Sequence, residues 1–427
     1  MSSSPGSVKP PDMVKKVFSL FLACFLCFSG LSSAQADSLS SLISEALKNN
    51  PQLQAAEYRF IAAKARVRLL RTLADPKIEY EYDKITADMD AVMNGSTSPM
   101  RTFSVSQEIP FPSKLFLRKQ AAQKEANSYE QEFKETQHKI IKDVKEAYFQ
   151  LFLSEKKIAL TKENMELLSQ MIEVINKKYT VNKAGMQDSL RAQVEHSKLA
   201  NQLVLLEQEE KISQSMLKAL LGRQQDSNIL AIEDKNGLGL ELKEENILSL
   251  TKENRPELKS FREMVRKSEI DYALSKQEYL PDFMIKYKRE ERNGGMGSWA
   301  GMLGVTVPLW FWEKQDSFVK EARANLSVAK AEYQASENMT LFEARSALAK
   351  FEAAKSLVKI YETGVLPQAQ SALETARAGY ESNKIDFLEL LDSLRTLRDF
   401  QMEYFEALAN LEISLADLER SVGKDLF

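Results

Sequence analysis

From Val144 to Tyr179 an apolar side chain returns every seventh residue, at Val144, Leu151, Ile158, Met165, Ile172 and Tyr179, with Lys, Glu, Gln and Asn filling most positions between. A strict seven-residue period is the seam of a coiled coil, and it implies a left-handed supercoil because an unstrained helix would otherwise drift off the seam. A helix from about Leu115 to Tyr179 is a rod roughly 90 Å long, too long for the core of an ordinary domain. After Tyr179-Thr-Val-Asn182-Lys183-Ala-Gly185 the chain must turn and come back along itself. The phrase recurs at Tyr380-Glu-Ser-Asn383-Lys384-Ile-Asp386. Ala344, Phe351, Val358 and Val365 ascend to it in sevens, and Leu394, Leu408, Leu415 and Val422 mark the returning helix. Asn182 and Asn383 are the expected turning residues, since Asn is the usual non-glycine choice for a left-handed backbone.

The recurrence extends to the whole chain. Asn50-Pro51 answers to Arg255-Pro256 and Asp75-Pro76 to Leu280-Pro281-Asp282, at one spacing, 256 minus 51 and 281 minus 76 both being 205. The turn tyrosines and the glycines that close each half keep a second spacing, 380 minus 179 and 423 minus 222 both being 201. One architecture made twice is the consequence. The first unit occupies 37–222 and the second 246–427, each a helix, a β-hairpin (77–109 and 282–308), a long helix, a tip turn and a returning helix. Residues 223–245, with short apolar runs broken by Asp, Asn and Gly, form an irregular band beside the rods. Gly364-Val-Leu-Pro367 has no counterpart in the first half and predicts a kink there.

The hairpins alternate with period two. Ile78, Tyr80 and Tyr82 stand on one side of the first strand and acids on the other, Phe103, Val105, Gln107 and Ile109 alternate before Pro110, and Phe283, Ile285 and Tyr287 alternate with Met284, Lys286 and Lys288. Trp299, Leu303, Val305 and Val307 complete the fourth strand. Strands of about ten residues match tilted outer-membrane strands, although a half-buried soluble sheet alternates equally well. Tyr80, Tyr82, Tyr287 and Trp299 suit the membrane interface. Four strands cannot close a barrel alone, and open edges are not viable in lipid. Several chains must therefore pool their strands, two giving eight and three giving twelve.

Lys15 and Lys16, an apolar run from Val17 to Phe28 and Ala34-Gln35-Ala36 read as a secretory signal over 1–36, with 1–12 a possible upstream extension and Met13 an alternative start. A run of about 12 apolar residues falls short of the roughly 20 that a membrane-spanning helix needs, and a lipoprotein signal at Cys24 conflicts with the apolar residues beyond it. Cys24 and Cys27, the only cysteines, leave with the signal. The exported chain then holds neither disulfide nor thiolate metal site. Basic and acidic residues nearly balance, 58 against 61, which fits solvated helix faces and offers no stripe for nucleic acid.

Order, duplication and turn motifs resemble the TolC family of outer-membrane efflux proteins over residues 38–423. Ser106-Gln-Glu-Ile-Pro110-Phe-Pro-Ser-Lys114, Gly364-Val-Leu-Pro367-Gln-Ala and Asp386-Phe-Leu-Glu-Leu-Leu-Asp392-Ser-Leu-Arg395 are most similar to its heavy-metal branch, the Cus and Czc type. The resemblance implies a mainly α fold with a membrane β part. Long antiparallel coiled-coil helices form a periplasmic α-barrel, and four strands per chain enter a shared 12-stranded outer-membrane β-barrel. The implied partners are two further copies in a homotrimer, a periplasmic adaptor, an inner-membrane pump of the RND type, and outer-membrane lipid. The implied activity is passive conduction of metal ions or small toxic compounds from the pump to the exterior. A duct for type I protein secretion and a soluble periplasmic coiled-coil protein are the other readings.

No enzyme is expected. His138 and His196 are the only histidines and both fall in the rods, no phosphate-cradling glycine loop or Cys/His cluster occurs, and no cofactor is implied. Met89, Met93, Met100, Met296 and Met302 lie in the hairpins, where barrel packing explains them better than a soft metal site. The site residues come from the tip. Asn182, Lys183, Asn383 and Lys384 are the expected adaptor-docking turns. The family's closing Tyr and Asp correspond to Tyr380 and Asp188, but its Arg corresponds to Ile385, so that lock is incomplete. Glu389 and Asp392, three residues apart on one helix face, match an acidic pair at the family's periplasmic entrance. Repeated around a threefold axis they would be two rings of carboxylates, which favour cations.

Overall fold

A computed structural model describes residues 38–83, 100–181, 185–226, 243–292 and 297–426. The signal segment 1–36, Asn182, Lys183, the loop holding Met89 and Met93, Met296, and most of the 223–245 band lie outside the described residues.

The first half runs α1 (Leu39–Asn49), α2 (Pro51–Leu69), β1 (Lys77–Asp83), β2 (Met100–Ile109), α3 (Pro112–Thr180) and α4 (Met186–Leu221). The second runs α5 (Glu244–Asn254), α6 (Pro256–Gln277), β3 (Asp282–Arg292), β4 (Ser298–Thr306), α7 (Lys314–Ile360), a π turn (Tyr361–Val365), α8 (Leu366–Glu381) and α9 (Phe387–Val422). With 69 residues, α3 is a rod of about 100 Å. Helix α2 stops at Leu69, short of Asp75-Pro76, the first residues at which the sequence itself carries a helix breaker. The Thr72 hydroxyl and amide both donate to the Leu69 carbonyl and close the helix early.

The seam is driest in the middle. Val144, Leu151 and Ile158 are buried, Met165 and Ile172 half-buried, and Tyr179, the last seam position expected from the period, is 48% exposed. At the middle of the rods α1 packs Leu42 and Ala46 against Ile140, Val144, Tyr148 and Leu151 of α3 and Leu217 and Leu221 of α4. Each returning helix ends on a glycine in the left-handed region, Gly222 at φ 69° and Gly423 at φ 72°. Both positions are also crowded: a Cβ on Gly423 would sit 2.9 Å from Pro256 Cδ, and one on Gly222 3.2 Å from the Asn49 carbonyl oxygen.

A latch follows in each half. Asn50 caps α2 through its Oδ1 and donates its amide to the Leu220 carbonyl at 2.9 Å. Arg255, only 1% exposed, donates to the Arg420 carbonyl at 2.5 Å and pairs with Glu135, Glu257 and Glu343 at 3.0–3.2 Å.

At the position where the sequence predicts a kink, the second rod carries the π turn. The Leu366 amide reaches back five residues to the Tyr361 carbonyl, which re-registers the helix just ahead of Pro367, whose missing N–H cannot serve the ladder. Two reciprocal bonds hold the turn to α9, Tyr361 Oη to Glu403 at 2.8 Å and Tyr404 Oη to Glu362 at 2.9 Å.

The four strands form one antiparallel sheet in the order β1-β2-β3-β4. The register puts Tyr80, Phe103, Arg289 and Trp299 in one cross-strand row and Ile78, Val105, Tyr287 and Gly301 in the next. Ile285 with Leu303, and Ile109 with Phe283 and Val305, continue that face. The opposite face carries Lys77, Glu79, Glu81, Thr102, Ser104, Lys286, Lys288 and Glu290, with Lys286 paired to Glu79 at 2.9 Å. One side of the sheet is therefore apolar and exposed and the other charged, while among the described residues β1 and β4 each keep an unpaired edge. Among the described residues no helix is long and apolar enough to cross a membrane.

Candidate channel entrance

At the tip, α3 hands over to α4 and α8 to α9. The second turn is fully described. Asn383 takes φ 59°, and the Lys384 amide donates to the Gly379 carbonyl at 2.8 Å, the six-to-one bond of a helix ended by a left-handed residue. Asp386 then caps α9 by accepting the Glu389 amide at 2.9 Å. Ile385, which stands where an arginine would complete the lock, lies over Gly379, where any Cβ would come within 3.3 Å of it. Its role is packing.

Asp188 turns back on its own helix and accepts the Gly185 amide at 3.3 Å. Tyr380 packs edge to face on Phe387, with centroids 5.9 Å apart, and its hydroxyl is buried without a hydrogen-bond partner among the described residues. Burial first, and then the negative charge of Asp188, push the Tyr380 phenol up. The two expected lock residues are thus neighbours that no hydrogen bond joins. Lys178 is what ties the hairpins together here: its Nζ donates to the Tyr380 carbonyl at 2.7 Å and to Asn383 Oδ1 at 3.2 Å, and lies 4.1 Å from the Tyr380 ring centroid.

Glu389 and Asp392 are both exposed, on the first turns of α9. Among the described residues neither carboxylate accepts a hydrogen bond or an ion pair. Behind them the apolar side of α9, Phe387, Leu391 and Leu394, packs with Leu168 and Ile175 of α3 and Ala192 and Leu199 of α4. That packing fixes the helix rotation and leaves the two acids on its exposed face.

One turn farther along α9 lies a charge cluster that sequence reasoning missed. The Glu195 side chain, 5% exposed, is bonded to Arg395 and, at 3.1 Å, to Arg398; Arg398 also pairs with Asp399 at 2.8 Å. Burial by itself would raise the Glu195 carboxyl, but the hydrogen bonds and charges of the two arginines together outweigh it and hold the group below its ordinary range. The available signal was the 201-residue spacing, which puts residues 195 and 396 at one height on facing helices. The described residues contain no group of three or more His, Asp or Glu that could hold a metal, and Met100 and Met302 fall on the charged side of the sheet.

The profile of a family described as outer membrane efflux protein matches residues 42–223 and 247–424. Among curated relatives, the outer membrane protein TolC of Vibrio cholerae is 21% identical over 429 residues, covering 96% of both chains. The cobalt-zinc-cadmium resistance protein CzcC of Cupriavidus metallidurans is 19% identical over 391 residues, covering 90% of both. Among solved structures, the chain superposes on CusC, described in terms of transmembrane channel formation, with a TM-score of 0.78 at 17% identity over 93% of this chain and 96% of that one. It superposes on the outer-membrane channel OprN with a TM-score of 0.78 at 17% identity, over 90% and 89%.

Proposed function

The chain belongs to the outer membrane efflux protein family, and from that premise we propose that three copies assemble into an exit duct whose tip, carrying Glu389 and Asp392, is a cation-preferring entrance. It is an outer-membrane efflux channel whose helices extend into the periplasm. One observation carries the assembly: a four-stranded sheet, apolar on one face and charged on the other, with both edges unpaired. Lipid tolerates no open edge, and three copies pool twelve strands, enough to close a barrel with a polar lumen. Light scattering in detergent tests this; a monodisperse monomer free of detergent rules it out.

At the other end, the tip turns, Asn182-Lys183 and Asn383-Lys384, receive the periplasmic adaptor that links the duct to an inner-membrane pump of the RND type. Metal cations are the favoured cargo, because the unpaired acids at the tip suit cations and because one relative is named for resistance to cobalt, zinc and cadmium. Glu389→Gln with Asp392→Asn should shift the reversal potential in a planar bilayer under a salt gradient toward lower cation preference and weaken block by multivalent cations. An unchanged reversal potential in the assembled double variant removes these residues from the entrance. Asp188 and Tyr380 act in tip closure through their proximity, and Asp188→Ala should raise resting conductance.

A further inference from the structure

The duplication allows the two places where the sheet hands over to a rod to be compared residue by residue. From the sheet into the rods the halves keep a spacing of 200. Lys77 pairs with Ser106 and Asp282 with Thr306, 306 minus 106 being 200, and buried Val144, Leu151 and Ile158 answer to buried Ala344, Phe351 and Val358. The π turn then adds one residue, which gives the spacing of 201 at the tip. Phe111 and Lys114 therefore correspond to Phe311 and Lys314. Ahead of the strands the spacing is 205, so Leu280, Asp282 and Phe283 correspond to Asp75, Lys77 and Ile78.

The first junction is complete within the chain. Lys114, 1% exposed, donates to the Leu280 carbonyl at 3.0 Å and pairs with Asp282 at 3.0 Å, and Phe111 stacks on Phe283 with centroids 6.5 Å apart. After β4 the chain turns outward, with Trp310, Phe311 and Trp312 exposed, and the corresponding contacts are not made within the chain. Lys314 and Asp75 are both exposed, and among the described residues neither has an ion pair. Phe311 and Ile78 are 50% and 68% exposed. A cleft of about 440 Å3 opens between the two junctions, lined in part by Thr306, Lys314 and Gln315. Gln315 is 7% exposed, yet its Oε1 has no hydrogen-bond partner among the described residues.

We propose that the junction after β4 is a socket for the neighbouring copy: Lys314 pairs with the partner's Asp75, and Phe311 covers the partner's Ile78. The inference rests on the trimeric reading, in which β4 of one copy meets β1 of the next. That pairing brings the partner's connection between α2 and β1 to the start of α7, as the pairing of β2 with β3 brings the connection after α6 to the start of α3. Within one chain the two strands concerned stand at opposite edges of the sheet, three strand spacings or about 14 Å apart. Charge selects the partner of Lys314. Lys77, in the place of Asp282, has the wrong sign and is already held by Glu108 at 3.1 Å. Asp75, in the place of Leu280, offers a carboxylate as well as the carbonyl that Lys114 uses in the first half. The partner's main chain, entering beside Thr306, brings N–H donors to Gln315 Oε1.

A carbodiimide joins a carboxylate to an amine only where the two are in contact, and it tests the pair on the oligomer in detergent. The expected product is a peptide pair linked through Lys314 and Asp75, with covalent dimers and trimers on a denaturing gel, and its loss in Lys314→Gln. A trimer by light scattering that gives no such link, as when a phosphate of lipid holds Lys314 instead, overturns the socket and leaves the duct standing. A monomer overturns both. Charge reversal is the second measurement. Lys314→Asp and Asp75→Lys should each lower several-fold the fraction of oligomer that survives heating in dodecyl sulfate, and the two together should restore it. Single variants as resistant as the unaltered protein, or a double variant no better than either single one, overturn the socket.

Discussion

Two carboxylates, Glu135 half-buried at the middle of the rods and Glu195 buried near the tip, each sit between two arginines and respond in opposite ways. Glu195 is held below the ordinary range by Arg395 and Arg398. Glu135, beside Arg255 and Arg420, is pushed up: burial is the largest influence, the two arginines only partly offset it, and the charge of Glu257 adds to the rise. Arg255 serves three carboxylates at once, so Glu135 shares its charge with Glu257 and Glu343 and has only Arg420 besides. An ion pair in a rod therefore cannot be valued by counting partners; the share of each partner and the depth of burial decide it.

The largest effect expected from breaking this comparison is at the middle. Arg255→Ala empties a buried position and leaves half-buried Glu135 beside Glu257 and Glu343 with Arg420 alone, and should cost about 3–5 kcal/mol, whereas Asn50→Ala, the equivalent latch in the first half, should cost about 1 kcal/mol. Denaturant unfolding of the two variants checks the ratio, and equal losses would mean that the two latches are alike. Next is Glu195→Gln, which leaves two arginines facing each other. Amide exchange over the first turns of α9 should quicken by about tenfold or more, as for loss of a charged hydrogen bond of roughly 1.5–3 kcal/mol, with exchange at the middle unchanged.

Acid should act on the two sites with opposite sign. The Glu195 carboxyl is depressed, so its stabilisation is present above the unfolded value of about 4.3 and is lost as pH falls through the lower folded value. The Glu135 carboxyl is raised, so it opposes folding above its folded value, and that penalty is relieved as pH falls through it. Exchange measured down a pH series should show the middle holding or tightening before the tip loosens; a tip that loosens first contradicts the assignment. The smallest effect is at the π turn. Tyr361→Phe with Tyr404→Phe removes two exposed bonds worth about 0.5–1.5 kcal/mol each at most, and should quicken exchange around Tyr361–Val365 without altering the rest of the rod.

Much of this was legible because coiled-coil and strand periods are local and the duplication supplies its own alignment. Val144, Phe351 and Val422, all buried, follow from spacing, and the two-faced sheet follows from alternation at Ile78, Tyr80 and Tyr82. The turn at Asn383 was readable because few residues other than glycine enter its backbone region. Tyr179 departed from the period because toward the tip the buried row of α3 passes to Leu168 and Ile175, which pack against α4 and α9, and the row of Met165, Ile172 and Tyr179 rolls out to the edge.

The partnerships were decided by the tertiary structure. Lys178 with Tyr380, Glu195 with Arg395 and Arg398, and Arg255 with Glu135 join residues more than a hundred positions apart, and on any one helix each is another charge among many. Whether a charge is solvated or bonded depends on helix rotation and on which neighbour stands at its height. The same holds for the junctions after β2 and β4: two Pro-Phe or Pro-Leu segments of similar apolar character, one turned in beside buried Lys114 and the other turned out with Trp310 and Trp312. Periodicity determines which face of an element is apolar, but only packing determines what that face meets.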